Sequence, residues 1–263
     1  MKKIFLFILF WGFSQLLFAQ DSTNTKKQKK ELKKQKINMM AKAEEEGVIN
    51  YKKHFAGGIK LTNDGSGIFI EMARAKSVEH SLLFQLEITE RKHAKEEKLQ
   101  NELSPSAPII YGKINYFYPV KLGVQKQFLL GNKGNKNGVN ITANFGGGVS
   151  LAFLRPYLVQ VDKGTGNYQY VGYNSPDSNY FLNGPIVGGP TISEGWSQLK
   201  ITPGLYAKSG LRFDYGKYNE LLTAIEIGGT AEFYSKKIEQ LINIKQYQYF
   251  IGAYVSLVFG RRK

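Results

Sequence analysis

Three histidines and no cysteine bound the chemistry open to this chain of 263 residues. The histidines are His54, His80 and His93. A serine hydrolase needs a base within hydrogen-bond reach of the hydroxyl. His80 and Ser81 are sequence neighbours, and neighbours in a strand point to opposite faces, so they cannot share a proton. Glu71 and Glu87 could form an acid–base pair, but interior ion pairing is the plainer reading. Gly146–Gly148 lies inside a strand pattern and precedes no helix, so it cradles no phosphate. No spacing of His, Asp or Glu fits a metal site. The absence of cysteine excludes disulfides, thiolate metal centres, cysteine nucleophiles and cysteine-linked lipid anchoring. The expectation is a protein that is not an enzyme and has no cofactor.

The elements that would position any functional group are strands. Lys2 and Lys3 precede an apolar run, Ile4 to Phe18, broken only by Gly12, Ser14 and Gln15, and Ala19 offers a small residue for cleavage. Residues 1–19 therefore read as a cleaved signal peptide, with an uncleaved anchor as the rival. Export makes nucleic acid an improbable partner despite the net charge of +15. Beyond residue 20 the longest unbroken apolar stretch is four residues, Leu151 to Leu154. No transmembrane helix fits there, and the only other structure that spans a bilayer is a closed β-barrel.

Period two decides between a soluble exported domain and a barrel. Tyr247, Tyr249, Ile251, Ala253, Val255, Leu257 and Phe259 alternate with a small and polar set. Lipid-facing strands need about 9–11 residues with one apolar face. The pattern recurs, predicting eight strands: 55–62, 67–76, 80–90, 109–130, 138–159, 201–215, 221–234 and 246–260. With the N-terminus on the periplasmic side, the longer connections all fall outside, as in outer-membrane barrels. Pro119 and Pro156 interrupt the fourth and fifth strands. Segments 109–118 and 157–159 then form a raised hairpin extension, or separate strands that bring the total to ten. Lys126 and Arg74 are misfits on the apolar face and would have to snorkel to headgroups.

An eight-stranded barrel is just wide enough for side chains to fill. The inward set holds Lys60, Glu71, Glu87, Lys208, Arg212, Asp214, Glu226 and Glu232. Pairing Tyr215 roughly with Leu221 puts Glu226 opposite Gly210, diagonally between Lys208 and Arg212. The expected filling is an ion-pair network acting as a plug, with a proton or ion path as the alternative. Outside, segment 160–200 carries Tyr168, Tyr170, Tyr173, Tyr180, Phe181 and Trp196. Loops of this length are functional or disordered. These aromatics are either contacts for a protein or glycan partner or a cap packed on the raised hairpin. Residues 20–50 form a basic, then acidic, periplasmic tail or short helix. Its lysines (Lys26, Lys27, Lys29, Lys30, Lys33, Lys34 and Lys36) either solubilise the chain or touch anionic headgroups, peptidoglycan or an acidic partner.

The signal ending Leu17-Phe18-Ala19-Gln20, the eight amphipathic strands, and the last strand Tyr249–Phe259 followed by Gly260-Arg261-Arg262-Lys263 resemble the small outer-membrane β-barrels of Bacteroidota, loosely PorT-like. The tail departs from barrels that end on the aromatic itself. The resemblance implies insertion by the outer-membrane assembly machinery and, for some relatives, a link to type IX secretion or gliding. It brings no catalytic residues. The reading is an all-β chain forming a closed antiparallel transmembrane barrel over 51–263, in the outer membrane of a Gram-negative bacterium. Its expected partners are outer-membrane lipid and lipopolysaccharide, and envelope proteins met through segment 160–200 or the Lys-rich tail. The expected role is an assembly, secretion or surface-structure component. The alternatives are a narrow small-solute transporter or a lipid-modifying barrel enzyme.

Overall fold

The computed structural model describes residues 29–32, 34–35, 51–77, 79–99, 108–133, 138–164, 166–216 and 220–263. The expected signal peptide and most of the expected tail lie outside them. The chain divides into two units, Met1–Asn50 and Tyr51–Lys263. In the first, residues 29–32 and 34–35 are helical and exposed.

Among its described residues the second unit holds thirteen strands. They are β1 (Lys53–Thr62), β2 (Gly65–Ala75), β3 (His80–Arg91), β4 (Lys98–Leu99), β5 (Ile109–Ile110), β6 (Asn115–Gly131) and β7 (Asn140–Pro156), then β8 (Leu158–Asp162), β9 (Tyr168–Gly172), β10 (Ile186–Gly188), β11 (Lys200–Asp214), β12 (Leu221–Ile238) and β13 (Tyr247–Arg262). One short helix, α1 (Ser178–Asn183), and a single 3-10 turn, Trp196–Gln198, complete it. Eight strands close into an antiparallel barrel in the order β1-β13-β12-β11-β7-β6-β3-β2. The alternative of ten barrel strands is set aside.

Alternation dictates an inverted distribution of side chains. Outward positions of β1 and β2 present Phe55, Ile59, Leu61, Ile68, Ile70 and Met72, all half or more exposed. The inward positions between them bury His54, Lys60 and Glu71. The barrel interior is polar and its exterior apolar, the reverse of a soluble domain.

The two ends differ. Residues 76–79, 132–139 and 215–220 connect strands at the end where β1 begins and β13 finishes. Residues 63–64, 92–114, 157–199 and 239–246 connect them at the other. There β10, β8 and β9 form a three-stranded sheet, and β4 pairs with β5. We refer to this end as the crown.

Two expectations about the long strands are corrected. Residues 109–114 do not extend the fourth barrel strand, and 109–110 pairs separately with 98–99; β6 begins at Asn115, and 115–118 continue the wall against 153–156 of β7. Pro119 sits inside the wall, opposite Ala152 of β7. Proline is tolerated because the ladder to β3 skips this point, between Ile88↔Val120 and Arg91↔Phe117. A missing N–H there leaves no donor unpaired. Residues 157–159 likewise leave the wall, since β8 belongs to the crown sheet.

Candidate functional site

The lumen carries the largest concentration of charge. Among the described residues, six cations (Lys60, Arg91, Lys121, Lys208, Arg212 and Arg262) pair with six carboxylates (Asp64, Glu71, Glu87, Asp214, Glu226 and Glu232). All but Asp64 are buried. Their arrangement resolves into two clusters and a clasp.

The first cluster centres on Arg212. Its terminal nitrogens donate to both oxygens of Glu71, at 2.6 and 2.8 Å, and its Nε donates to Glu226 at 2.7 Å. A guanidinium suits this task because its planar fork matches a carboxylate two bonds at a time. Glu226 also receives Lys208 at 2.8 Å, the Tyr254 hydroxyl at 2.7 Å and Asn144 at 2.8 Å. Glu71 has one further partner, His54 Nε2 at 3.2 Å. The second cluster runs through Lys121, which bridges Glu87 at 3.1 Å and Glu232 at 2.7 Å. Lys60 completes Glu87; Arg91, at 3.1 Å, and Tyr234, at 2.6 Å, complete Glu232. Arg91 Nε also donates to Asp64 at 2.6 Å. At the end opposite the crown, Arg262 clasps Asp214 and donates to Leu221 O at 3.0 Å.

Every charged lumen residue named from the sequence is thus in one of these groups. Glu71 and Glu87 do not form an acid pair, because each is held by cations in a different cluster. The register expectation is corrected: Glu226 stands directly opposite Arg212, and Gly210 faces Gly228. Pairing of β11 with β12 ends at Asp214↔Ala224, and Tyr215 N bonds Thr223 O, so the connecting turn is wider than expected. Asp64, Arg91, Lys121 and Arg262 were missed. Lys121 was readable, since it alternates inward with Gly123, Gln125 and Gln127 along β6.

The crown has a core of its own. Ile110, Tyr157, Val159, Val161, Val171, Phe181 and Leu241 pack together, flanked by Ile109, Tyr116, Leu182, Ile186 and Ile244. These come from three separate connections. Backbone bonds Ile114 N to Gln240 O and Ile242 N to Gly112 O, both 2.8 Å, tie two of them. The Tyr157 hydroxyl accepts from Ile110 N at 2.7 Å and satisfies a buried donor. Lys113 is buried against Glu96 at 2.6 Å, and burial lowers its ammonium below the ordinary lysine value despite that partner.

The described residues of segment 160–200 therefore form a sheet and a helix. Phe181 is corrected: it lies in the crown core, 4% exposed, and offers nothing to a partner. Tyr168, Tyr170, Tyr173, Tyr180 and Trp196 are exposed. Tyr168 and Tyr170 share one face of β9, and the Tyr170 hydroxyl lies 2.7 Å from Thr191 Oγ1. Trp196 stacks on Tyr118 at 6.0 Å, with the Arg155 guanidinium 5.0 Å from its ring and 4.3 Å from Tyr116. Gly195 permits this contact: its φ is +86°, and a Cβ there would sit 2.9 Å from Pro156 O.

His80 and Ser81 diverge as strand neighbours must. The His80 ring meets Phe128 edge-on at 5.1 Å, while Ser81 Oγ turns inward, 3.4 Å from the Tyr51 hydroxyl. Among the described residues no group of three or more His, Asp or Glu side chains could hold a metal ion.

No protein-family model matches the chain, and neither does any curated protein sequence. Solved structures of similar shape include the attachment invasion locus protein of Yersinia pestis, at 9% identity and a TM-score of 0.37 over 81% of this chain and 99% of that one. Neisserial surface protein A matches at 10% identity and a TM-score of 0.36, over 81% and 96%. The N-terminal β-barrel domain of Pseudomonas aeruginosa OprF matches at 8% identity and 0.33, over 80% and 98%. Scores this low transfer nothing to the present chain, whose reading stands on its own geometry.

Proposed function

We propose that this chain is an integral outer-membrane barrel protein without catalytic activity, exported by cleavage of residues 1–19. It works through its crown as a component of a surface, assembly or secretion structure. The observation that carries the reading is the inversion of the wall. Apolar side chains cover the outside, while six cations and six carboxylates cancel within. Such a wall suits a hydrocarbon solvent, where backbone groups must be paired internally. A lumen crossed by paired charges favours a plug over a conduit.

The crown supports action on a partner. Its separate apolar core fixes Tyr168 and Tyr170 on a rigid face, and tyrosines combine contact area with a hydroxyl at low entropic cost. A matching envelope protein or glycan would be met outside the cell, with lipopolysaccharide around the wall. The test is affinity purification of the full chain from detergent-solubilised outer membranes, beside a Tyr168→Ser/Tyr170→Ser variant. The expected result is a defined envelope partner lost from the variant while the barrel stays heat-resistant on gels. Carbonate release of the chain, or an identical partner set, would overturn the proposal.

A further inference from the structure

Two cations on the apolar wall, Arg74 and Lys126, have a shared explanation in the strand register. Across β1, β2, β3 and β6 the outward side chains lie in rows. Gly57, Ile70, Leu86 and Leu122 make one row, and Phe55, Met72, Phe84 and Val124 make the next toward the end opposite the crown. Both rows are free of charge. The following row is Lys53, Arg74, Leu82 and Lys126, in register through Lys53↔Arg74, Arg74↔Leu82 and Leu82↔Lys126. The wall therefore changes from apolar to basic in one step along the strands, over four neighbouring strands.

The surrounding rim has the same sign. Lys52, Lys76, Arg261 and Lys263 are exposed there, against exposed Glu79 and Glu220. Lys53, Arg74, Lys76, Lys126 and Arg261 have no carboxylate within ion-pair distance among the described residues. Inside this rim Arg262 is paired with Asp214. Lys126 lies along its own strand, with its ammonium 4.8 Å from the Phe128 ring.

We propose that this row binds the phosphate of anionic glycerophospholipids in the leaflet next to the rim. The inference rests on the membrane reading above. Adjacent strands are about 4.8 Å apart, so Arg74 and Lys126, one strand either side of Leu82, flank a gap of about 10 Å. Both long side chains reach a phosphate placed over Leu82, and its acyl chains then run along Met72, Phe84 and Val124. Charge complementarity and an apolar trough on one side of the cations fit a lipid better than a soluble anion.

The test is native mass spectrometry of the full chain in detergent, titrated with cardiolipin, phosphatidylethanolamine or lipopolysaccharide. Each basic side chain near an anionic surface is worth about fivefold in binding. Cardiolipin retention should exceed that of phosphatidylethanolamine. The Arg74→Gln/Lys126→Gln variant should lose about twenty-five-fold of cardiolipin binding, since two such cations are removed. A Lys200→Gln control at the crown end should not change it. Equal retention of the zwitterionic lipid, an unchanged double variant, or loss of lipopolysaccharide alone would overturn the proposal. Carbonate extraction of the membranes from which the chain is purified separates the readings. Release of the chain defeats the membrane reading, whereas retention without anionic preference defeats only this one.

Discussion

Replacing Arg212 by alanine isolates the most heavily bonded side chain of the lumen. Without it Glu226 keeps Lys208, Tyr254 and Asn144, but Glu71 keeps only His54 at 3.2 Å. The damage therefore concentrates on one buried carboxylate. Removing one partner of a buried ion pair costs about 3–5 kcal/mol, because the other charge stays desolvated. Two carboxylates lose bonds here, which argues for the upper half of that range. A second change, Glu71→Gln, removes the orphaned charge and should return about half of the loss. The assay is urea unfolding of the barrel in detergent, followed by heat-modified gel mobility and far-ultraviolet circular dichroism. With a slope of about 2 kcal/mol per molar urea, the Arg212→Ala midpoint should fall by about 2 M. The double variant should lie between the two. An Arg212→Ala midpoint within about 0.5 M of the parent, or a double variant below the single one, would refute the reasoning.

Other outcomes follow from the same geometry. Planar-bilayer recordings of the parent chain should show no stable open channel, because paired side chains occupy the lumen; sustained unitary current would contradict the plug. Tyr157→Phe leaves Ile110 N without its acceptor and should cost about 1–3 kcal/mol in the crown alone. Limited proteolysis should then cut residues 92–114 or 157–199 while the barrel survives. Gly123→Val would place a Cβ 2.4 Å from the Tyr206 hydroxyl and 2.5 Å from Gly147 O. That crowding should destabilise the barrel by about 1–3 kcal/mol or more, read as a lower gel-shift temperature. Trp196 is the one tryptophan beyond residue 11, so Arg155→Ala should change its emission without changing the barrel's circular dichroism.

Alternation carried most of the wall. Seven apolar alternates from Tyr247 to Phe259 point to β13 without any partner, because one face of a strand in an inverted barrel is uniformly apolar. The same parity places Lys208, Arg212, Glu226 and Glu232 inside. What it cannot supply is register across a turn, which depends on local backbone geometry. Hence Glu226 was expected opposite Gly210 and stands opposite Arg212. Nor could the crown core be read. Ile110, Val161 and Leu241 lie in different connections with no shared period, and only closure of the barrel brings those connections together. Phe181 shows the cost of judging loop aromatics singly: in sequence it is indistinguishable from Tyr180, yet one is buried and the other exposed.

The bond between Arg212 on β11 and Glu71 on β2 has a kinetic consequence. These strands are not neighbours in the wall. They face each other only once β1 has met β13 along the seam from His54↔Arg262 to Thr62↔Tyr254. That seam joins the two most distant strands of the barrel, the slowest kind of contact for a chain to find. Before it forms, the curled sheet has a free edge and its carboxylates lack their cross-lumen partners. Closing the ring and completing its cross-lumen charge pairs are then one event, and in a bilayer a half-closed sheet would present both penalties at once. The cross-lumen pairs act as bracing that exists only in the finished ring, so the hydrocarbon itself selects against every intermediate short of it.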